Sequence, residues 1–426
     1  MRVDVRWKSW HGDEILPLEF PDGYEVSVHP PRGGADIGEE GIRRAFANPI
    51  GSPRIAELAR GKRSAVIVVD DIARPTPAYR VIPSILEELH EAGIPDGAIK
   101  FVLAVACHRP MVRDEMAAKL GEEVMRTYYV VNHQPYDYTT FVGQTSRGTP
   151  VHINRHVAEA EVRIGIGQIA PHGMPGFSGG AKIFLPGVAG IETIAANHRP
   201  GNFKGGLTKI EGNEYRADME EAARLAGLHL IVNLVINSER GIAGLVVGDL
   251  VEAHRKGVEL AWNAMSTTLP PQPVDIGVFN QYPKDTEFMH VPHALHVLNS
   301  APRPIIRQGG TMVIISASPD GFGMHSLQGP NMRQAYTGAY PPFKGYRLVA
   351  MCSKINRTEL PAMYPADTRL VSDWDGVLAA LAELHPRGGR VAVFPCGAIQ
   401  LAEQDAQEKL YFKAAQLQKE SLQTKN

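Results

Sequence analysis

A chain of 426 residues, 44% hydrophobic and 21% charged, has the composition of a globular protein and more length than one ordinary core uses, so two domains are expected. A formal net charge of −2 leaves no basic stripe for nucleic acid and no polybasic face for anionic lipid. Cys107, Cys352 and Cys396 are too few and too far apart for a disulfide framework or a CxxC zinc site; the opening MRVDVRWKSWHGDE lacks an apolar h-region and no run of 18 apolar residues occurs, so the expectation is a soluble, cytoplasmic protein with no membrane and no nucleic-acid partner.

Residues 1–50 alternate short apolar runs with turn signals such as PDG and PPRGG. SAVIVVDD, 64–71, is a continuous apolar run closed by carboxylates, the pattern of a buried parallel strand. PAYRVIPSILEELHEAGI then has helical spacing and stops at Gly93. IKFVLAVAC, 99–107, is the next strand and DEMAAKLGEEVMRTY the next helix. EVRIGIG, NEYRADMEEAARLAG, LHLIVNLVIN and DLVEAHRKGVELAWNAM continue the alternation, which predicts parallel sheets with helices on both faces. The prolines of TTLPPQPVD, 267–275, mark a linker, and IGVFN, TMVIISAS and RVAVFPC supply strands beyond it. The expected fold is therefore two α/β domains with mainly parallel sheets and the active site in the cleft between them. Residues 1–267 form the catalytic, ligand-holding unit, 276–400 complete the substrate site, and a helix over 401–426 packs back on the first unit.

Ligands of open parallel sheets sit beyond the carboxyl ends of strands. VVDDIARPTP, AVACHRPM and GIGQIAPHG each place ionisable residues there, so Asp71, Arg74, His108 and His172 are expected to converge on one crevice. Arg74, on a loop stiffened by the prolines around Thr76, suits a carboxylate or phosphate, or else a plain ion pair with Asp71 that braces the turn. Cys107 reads as a packing residue.

PHGMPGFSGGAKIFLPGVAG, 171–190, sets His172 and Lys182 on an irregular backbone. Gly176, Gly179 and Gly180 would let a ligand approach the main chain closely, although neither the Walker spacing nor a GxGxxG fingerprint is present. A desolvated Lys182 would be neutral and nucleophilic; a Gly-rich turn with a surface lysine is the plainer reading. In FMHVPHALHVL, Pro292 suits a first helical turn, with His290 flanking it, His293 just inside, and His296 as readily solvated as functional.

Together DxxRPTP at 71–77, CHRPM at 107–111, PHxxxGFSGGAK at 171–182, PG at 186–187 and NHR at 197–199 make the chain resemble the nickel-pincer lactate racemase family. That resemblance implies a nickel-bearing pyridinium mononucleotide with sulfur arms, the nickel-pincer nucleotide, attached covalently at Lys182 and ligated through nickel by His198. It further implies His108 and His172 as the two acid/base residues, with cofactor contacts from Asp71, Ile72, Ala73, Arg74, Gly179 and Gly180, and with cofactor-biosynthesis proteins as partners. The reaction it implies passes the hydroxyl proton to one histidine and the C2 hydride to the cofactor, then reverses both on the other face. Histidine, with an ordinary pKa of about 6.5, suits a base that exchanges roles near neutrality.

The family pattern carries a Gln and, three residues on, a Lys after its YPxD motif, both holding substrate. Aligned on Tyr282-Pro283-Lys284-Asp285, this chain has His290 and His293 instead. The substrate expected is a 2-hydroxy acid other than lactate, held by Arg74, His290 and His293. The alternative is a two-domain binding protein that closes on a small carboxylic acid without turning it over.

Overall fold

The computed structural model describes residues 1–403 apart from 200, 202, 328–342 and 363. Its first sheet runs Ile242–Gly248, Leu230–Ile236, Val162–Gln168, Ala65–Asp70, Ile99–Ala104, Tyr129–Asn132, parallel throughout except for the outermost Ile242–Gly248. Strand pleating explains the apolar runs: Val66 and Val68 face one core cluster while Ala65, Ile67 and Val69 face the other. Helices Glu214–Leu225 and Glu252–Met265 cover the first face through Met219, Ala222, Val258 and Ala261. Helix Ile82–Glu91 covers the second through Ile82, Ile85 and Leu89. Two sequence-predicted elements are shorter than expected. The strand from Ile99 stops at Ala104, before Ala106 turns at φ +50°, and the helix over 114–128 divides at Gly121, φ +95°, into Arg113–Leu120 and Glu122–Thr127.

The second sheet is parallel throughout, in the order Arg369–Val371, Arg347–Met351, Ile306–Ile315, Val274–Asn280, Gly389–Phe394, Tyr24–Val28. Its last member corrects the domain division at 1–267. The hairpin Arg2–Trp7/Glu14–Glu19 packs Val3, Val5, Leu18 and Phe20 on the far face of this sheet with Trp374, and the strand Tyr24–Val28 extends its edge. The first thirty or so residues thus lie with the second unit, because that face would otherwise expose Ile276, Val278, Val313 and Val391. The chain between Thr267 and Val274, where the linker is expected, is irregular. Leu401–Ala402 is a short strand beside Ser266–Thr267 rather than the start of a helix, and residues 404–426 of that expected helix lie outside the described residues. Among the described residues no helix is long and apolar enough to cross a membrane.

Candidate active site

In the first sheet the strand order reverses between Ala65–Asp70 and Val162–Gln168, and in the second between Val274–Asn280 and Gly389–Phe394. Connections leaving such a point on opposite sides open a crevice at the carboxyl ends. The two crevices face each other and enclose one cavity of about 810 Å³. From the first unit it is lined by Asp70, Asp71, Arg74, His108, Gln168, His172, Gly179, Lys182 and His198, and from the second by His290, His293, His296 and His325. Of the residues expected from sequence, Ile72, Ala73 and Gly180 are not on its wall: Ile72 packs in the core and Ala73 is buried.

The loop after Ala65–Asp70 is anchored from below by Lys119, which is fully buried. Its ammonium pairs with Asp70 at 2.8 Å, donates to the carbonyls of Asp71 at 2.9 Å and Arg74 at 2.7 Å, and lies 5.2 Å from the Trp10 ring centre. Burial presses Asp70 upward and Lys119 downward in pKa, and each offsets the other. Asp70 also accepts hydrogen bonds from the Thr76 hydroxyl at 2.6 Å and the Gln168 N–H at 3.2 Å, tying the two strands at the reversal together.

Asp71 does not brace the turn through Arg74. Its carboxylate accepts a short hydrogen bond from Nδ1 of His108. Burial alone would raise its pKa, but the His108 imidazole, with Arg74 and Lys119, holds it below the usual carboxylate range. The bond fixes the His108 ring and leaves Nε2 as its reactive nitrogen. Cys107, its thiol pushed up to about 11 by burial, is the packing residue expected.

Three glycines of the Gly-rich segment meet protein atoms where a side chain would be. Gly176 is at φ +79°, where a Cβ would strike the Lys209 carbonyl; at Gly179, φ +78°, it would sit 2.7 Å from Asn233 Oδ1, and at Gly180, φ +60°, 2.9 Å from the His254 ring. The tight fit has partners: Asn233 accepts from the Gly180 N–H at 2.6 Å, and the buried Arg216 donates to the carbonyls of Phe177 and, at 3.0 Å, Gly179. So held, the 3-10 turn Gly180–Ile183 brings Lys182 to the cavity wall. Burial, then Arg74, Arg216 and Lys284, push the Lys182 amine well below its ordinary pKa. His198 follows helix Ile191–Asn197, whose end Asn197 bonds to the buried Asp218 at 2.7 Å. Its pKa falls to about 3 through burial and Lys182, and its Nδ1 has no hydrogen-bond partner among the described residues.

On the second unit Pro292 lies inside a 3-10 segment, Phe288–Leu295, and does not begin a helix, so no helix N-terminus faces the cavity there. His290 and His293 nevertheless line it, with His296, which is buried rather than solvated. His172, His290 and His293 are pushed well below the ordinary imidazole range, His296 to about 3 and His325 to about 2, in each case by burial first. Lys284, fully buried behind them, falls to about 7 through burial and Arg74. His325, Lys284, Asp70 and Arg216 were not singled out as site residues in the sequence, and His296 was left as readily solvated as functional. Only Asp70, beside Asp71 at a strand end, carried a readable signal.

A profile described as the lactate racemase N-terminal domain matches residues 11–204. The lactate racemase of Lactiplantibacillus plantarum is 33% identical over 291 residues, 67% of each chain. That of Thermoanaerobacterium thermosaccharolyticum is 30% identical over 322 residues, 74% of each chain. Among solved structures, the lactate racemase apoprotein of the latter organism aligns with a TM-score of 0.73 at 23% identity, covering 95% of this chain and all of that one. A Thermotoga maritima protein aligns with a TM-score of 0.62 at 18% identity, covering 87% of this chain and all of that one. The two structural likenesses are likenesses of fold.

Proposed function

The chain belongs to the lactate racemase family, and from that footing we propose that it is an isomerase inverting C2 of a 2-hydroxy acid, with His108 and His172 as the acid/base pair. The observation that carries the reading is where these two stand. His108 follows Ile99–Ala104 and His172 follows Val162–Gln168, the strands on either side of Ala65–Asp70. Strands two places apart are separated by about 10 Å, room for a small acid between two imidazoles.

The residues present fit a lysine-anchored, metal-bearing cofactor. Lys182 offers an amine driven toward its neutral, acylatable form, and His198 offers a neutral imidazole with an unpartnered buried nitrogen. No group of three or more His, Cys, Asp or Glu among the described residues is arranged to hold a metal, which accords with a metal whose other ligands come from an organic group. Lys182 would hold a nickel-pincer nucleotide covalently and His198 would ligate its nickel; when bound, such a group supplies a place for the C2 hydride to leave to and return from. Asp71 and Gly179 would border it, and proteins that build and attach it are the partners this requires.

The chain's own residues do the rest. Arg74 turns its guanidinium to the cavity and suits the substrate carboxylate through two parallel N–H donors. His108, held by Asp71, takes the hydroxyl proton on Nε2 in one direction; His172 does so in the other, and each returns a proton to the oxygen of the 2-oxo acid in the reverse sense.

Lys182→Ala is expected to fold normally, since the amine contributes little packing, and to carry no added mass when produced with the cofactor pathway. Intact-mass and nickel measurements check this; full nickel content and activity in the variant would remove Lys182 from the attachment.

The neutral imidazoles of His290 and His293 favour an acid larger or more polar than lactate, because a site built on hydrogen bonds rejects analogues lacking the matching group. In a panel of chiral 2-hydroxy acids, His293→Ala should lower kcat/KM for the best substrate several-fold more than for lactate. An equal loss for every acid would strip His293 of a role in selectivity.

A further inference from the structure

The two acid/base histidines are joined by two others. Ring centres of His108 and His290 are 5.2 Å apart, His290 and His293 5.3 Å, and His293 and His172 5.7 Å, so an unbroken row of imidazoles runs along the second unit's wall from one side of the site to the other. At that spacing a small ring rotation brings neighbouring nitrogens within hydrogen-bond reach. Nδ1 of His290 lies 3.3 Å from Glu287 Oε2, and Nδ1 of His293 is buried without a hydrogen-bond partner among the described residues.

A two-base reaction leaves a debt of one proton. Each turnover in one direction loads His108 with the substrate's hydroxyl proton and strips His172 of the proton it gave to the product oxygen. The next turnover in that direction needs the reverse distribution, and the His108 side chain is only 10% exposed. We propose that His290 and His293 carry this proton from one acid/base histidine to the other between turnovers. The inference rests on the racemase reading above. The balance is simple. His108 gives up the proton on Nε2 to His290, His290 passes its other ring proton to His293, and His293 passes its own to His172; one proton moves, no electrons do, and ring rotation resets the carriers.

The surroundings favour carriers over resting acids. Burial, then His108 and Arg74 for His290, and burial, then Lys284 and His296 for His293, keep both rings neutral at rest. A passing positive charge on His290 meets Glu287, whose Oε2 lies 3.3 Å from Nδ1, and the more distant Asp71. Glu287 is buried and packed against Gly323, where even a Cβ would come within 2.8 Å of it.

The test uses His290→Gln and His293→Gln, since an amide keeps a polar side chain but takes up no proton. With loaded protein, the panel acid that the parent racemises fastest is followed at saturation while imidazole buffer is varied. The parent rate should be independent of buffer. Each variant should fall at least tenfold in kcat at low buffer, with kcat/KM falling less, and recover several-fold as imidazole rises. Losses equal at all buffer concentrations would reduce the two residues to substrate contacts and overturn the relay, as would parental rates. In a second arm, histidine-15N-labelled protein without cofactor is observed by NMR. Proton exchange between His108 and His172 should be measurable in the parent and lost in both variants; exchange that persists in either overturns the relay. Should the loaded parent racemise no acid of the panel, the racemase reading fails and the NMR arm still decides the relay.

Discussion

Replacing either His108 or His172 with alanine is expected to slow interconversion about 100- to 10,000-fold in both directions, the usual contribution of a positioned general acid or base. Both directions suffer because every turnover uses one ring as acceptor and the other as donor. The two variants should differ in what accompanies the loss. His108→Ala strands the carboxylate of Asp71, buried and left without its imidazole partner, so it should also lower stability. His172, in a short hairpin with Gly176–Phe177, leaves behind the half-buried N–H of Met174, which donates to its Nδ1 at 3.4 Å, and no charged group. Polarimetry on the best panel acid measures the first effect and urea unfolding the second. A variant with near-parental rates takes its histidine out of the mechanism.

The largest expected loss of stability lies beneath the site. Lys119→Met should cost about 3–5 kcal/mol, because it removes the only fully buried cation pairing with Asp70 among the described residues and leaves that carboxylate uncompensated. It also frees the carbonyls of Asp71 and Arg74, so the loop carrying the His108 partner loosens with it. The double variant Asp70→Asn/Lys119→Met should recover part of the loss, since no charge is then left unpaired. Urea midpoints of the three proteins give the comparison. A Lys119→Met midpoint equal to the parent would mean that the pair contributes nothing net, and a double variant no better than the single would shift the weight to the carbonyl contacts.

The parts of the architecture that were legible in the sequence are those whose cause is local. Ala65–Asp70 and Leu230–Ile236 are buried on both faces, so each reads as an unbroken apolar run. Glu252–Met265 packs one face only and reads at helical spacing. Tyr24–Val28 escaped because an edge strand with exposed Glu25, Ser27 and Val28 has no such signature; only the Gly389–Phe394 partner makes it a strand. Within the site, His108, His172 and Lys182 were readable since strand ends and a Gly-rich turn announce them. His325 was not, because an isolated histidine acquires its place only when two units close around it, and the spacing of His296 with His290 and His293 left its burial open. Arg216 sits in a helix rich in charged residues, where nothing distinguishes an arginine pointing inward from one in water. The glycines were legible as glycines, but their contacts were not: their missing side chains make room for Lys209, Asn233 and His254.

The edge position of Tyr24–Val28 also bears on the order of events at the ribosome. All strands of the first sheet lie between Ala65 and Gly248, so that sheet can assemble as soon as this stretch emerges. The strand Tyr24–Val28, made before that sheet, cannot settle then, because its neighbour Gly389–Phe394 is synthesised roughly 140 residues later than Gly248. At translation rates of about 5–20 residues per second the wait is roughly 7–30 s. During it Val3, Val5, Leu18 and Phe20 have no sheet to cover, next to an already folded unit. These residues thus wait for a partner made long after them, and a holding chaperone would have reason to bind them.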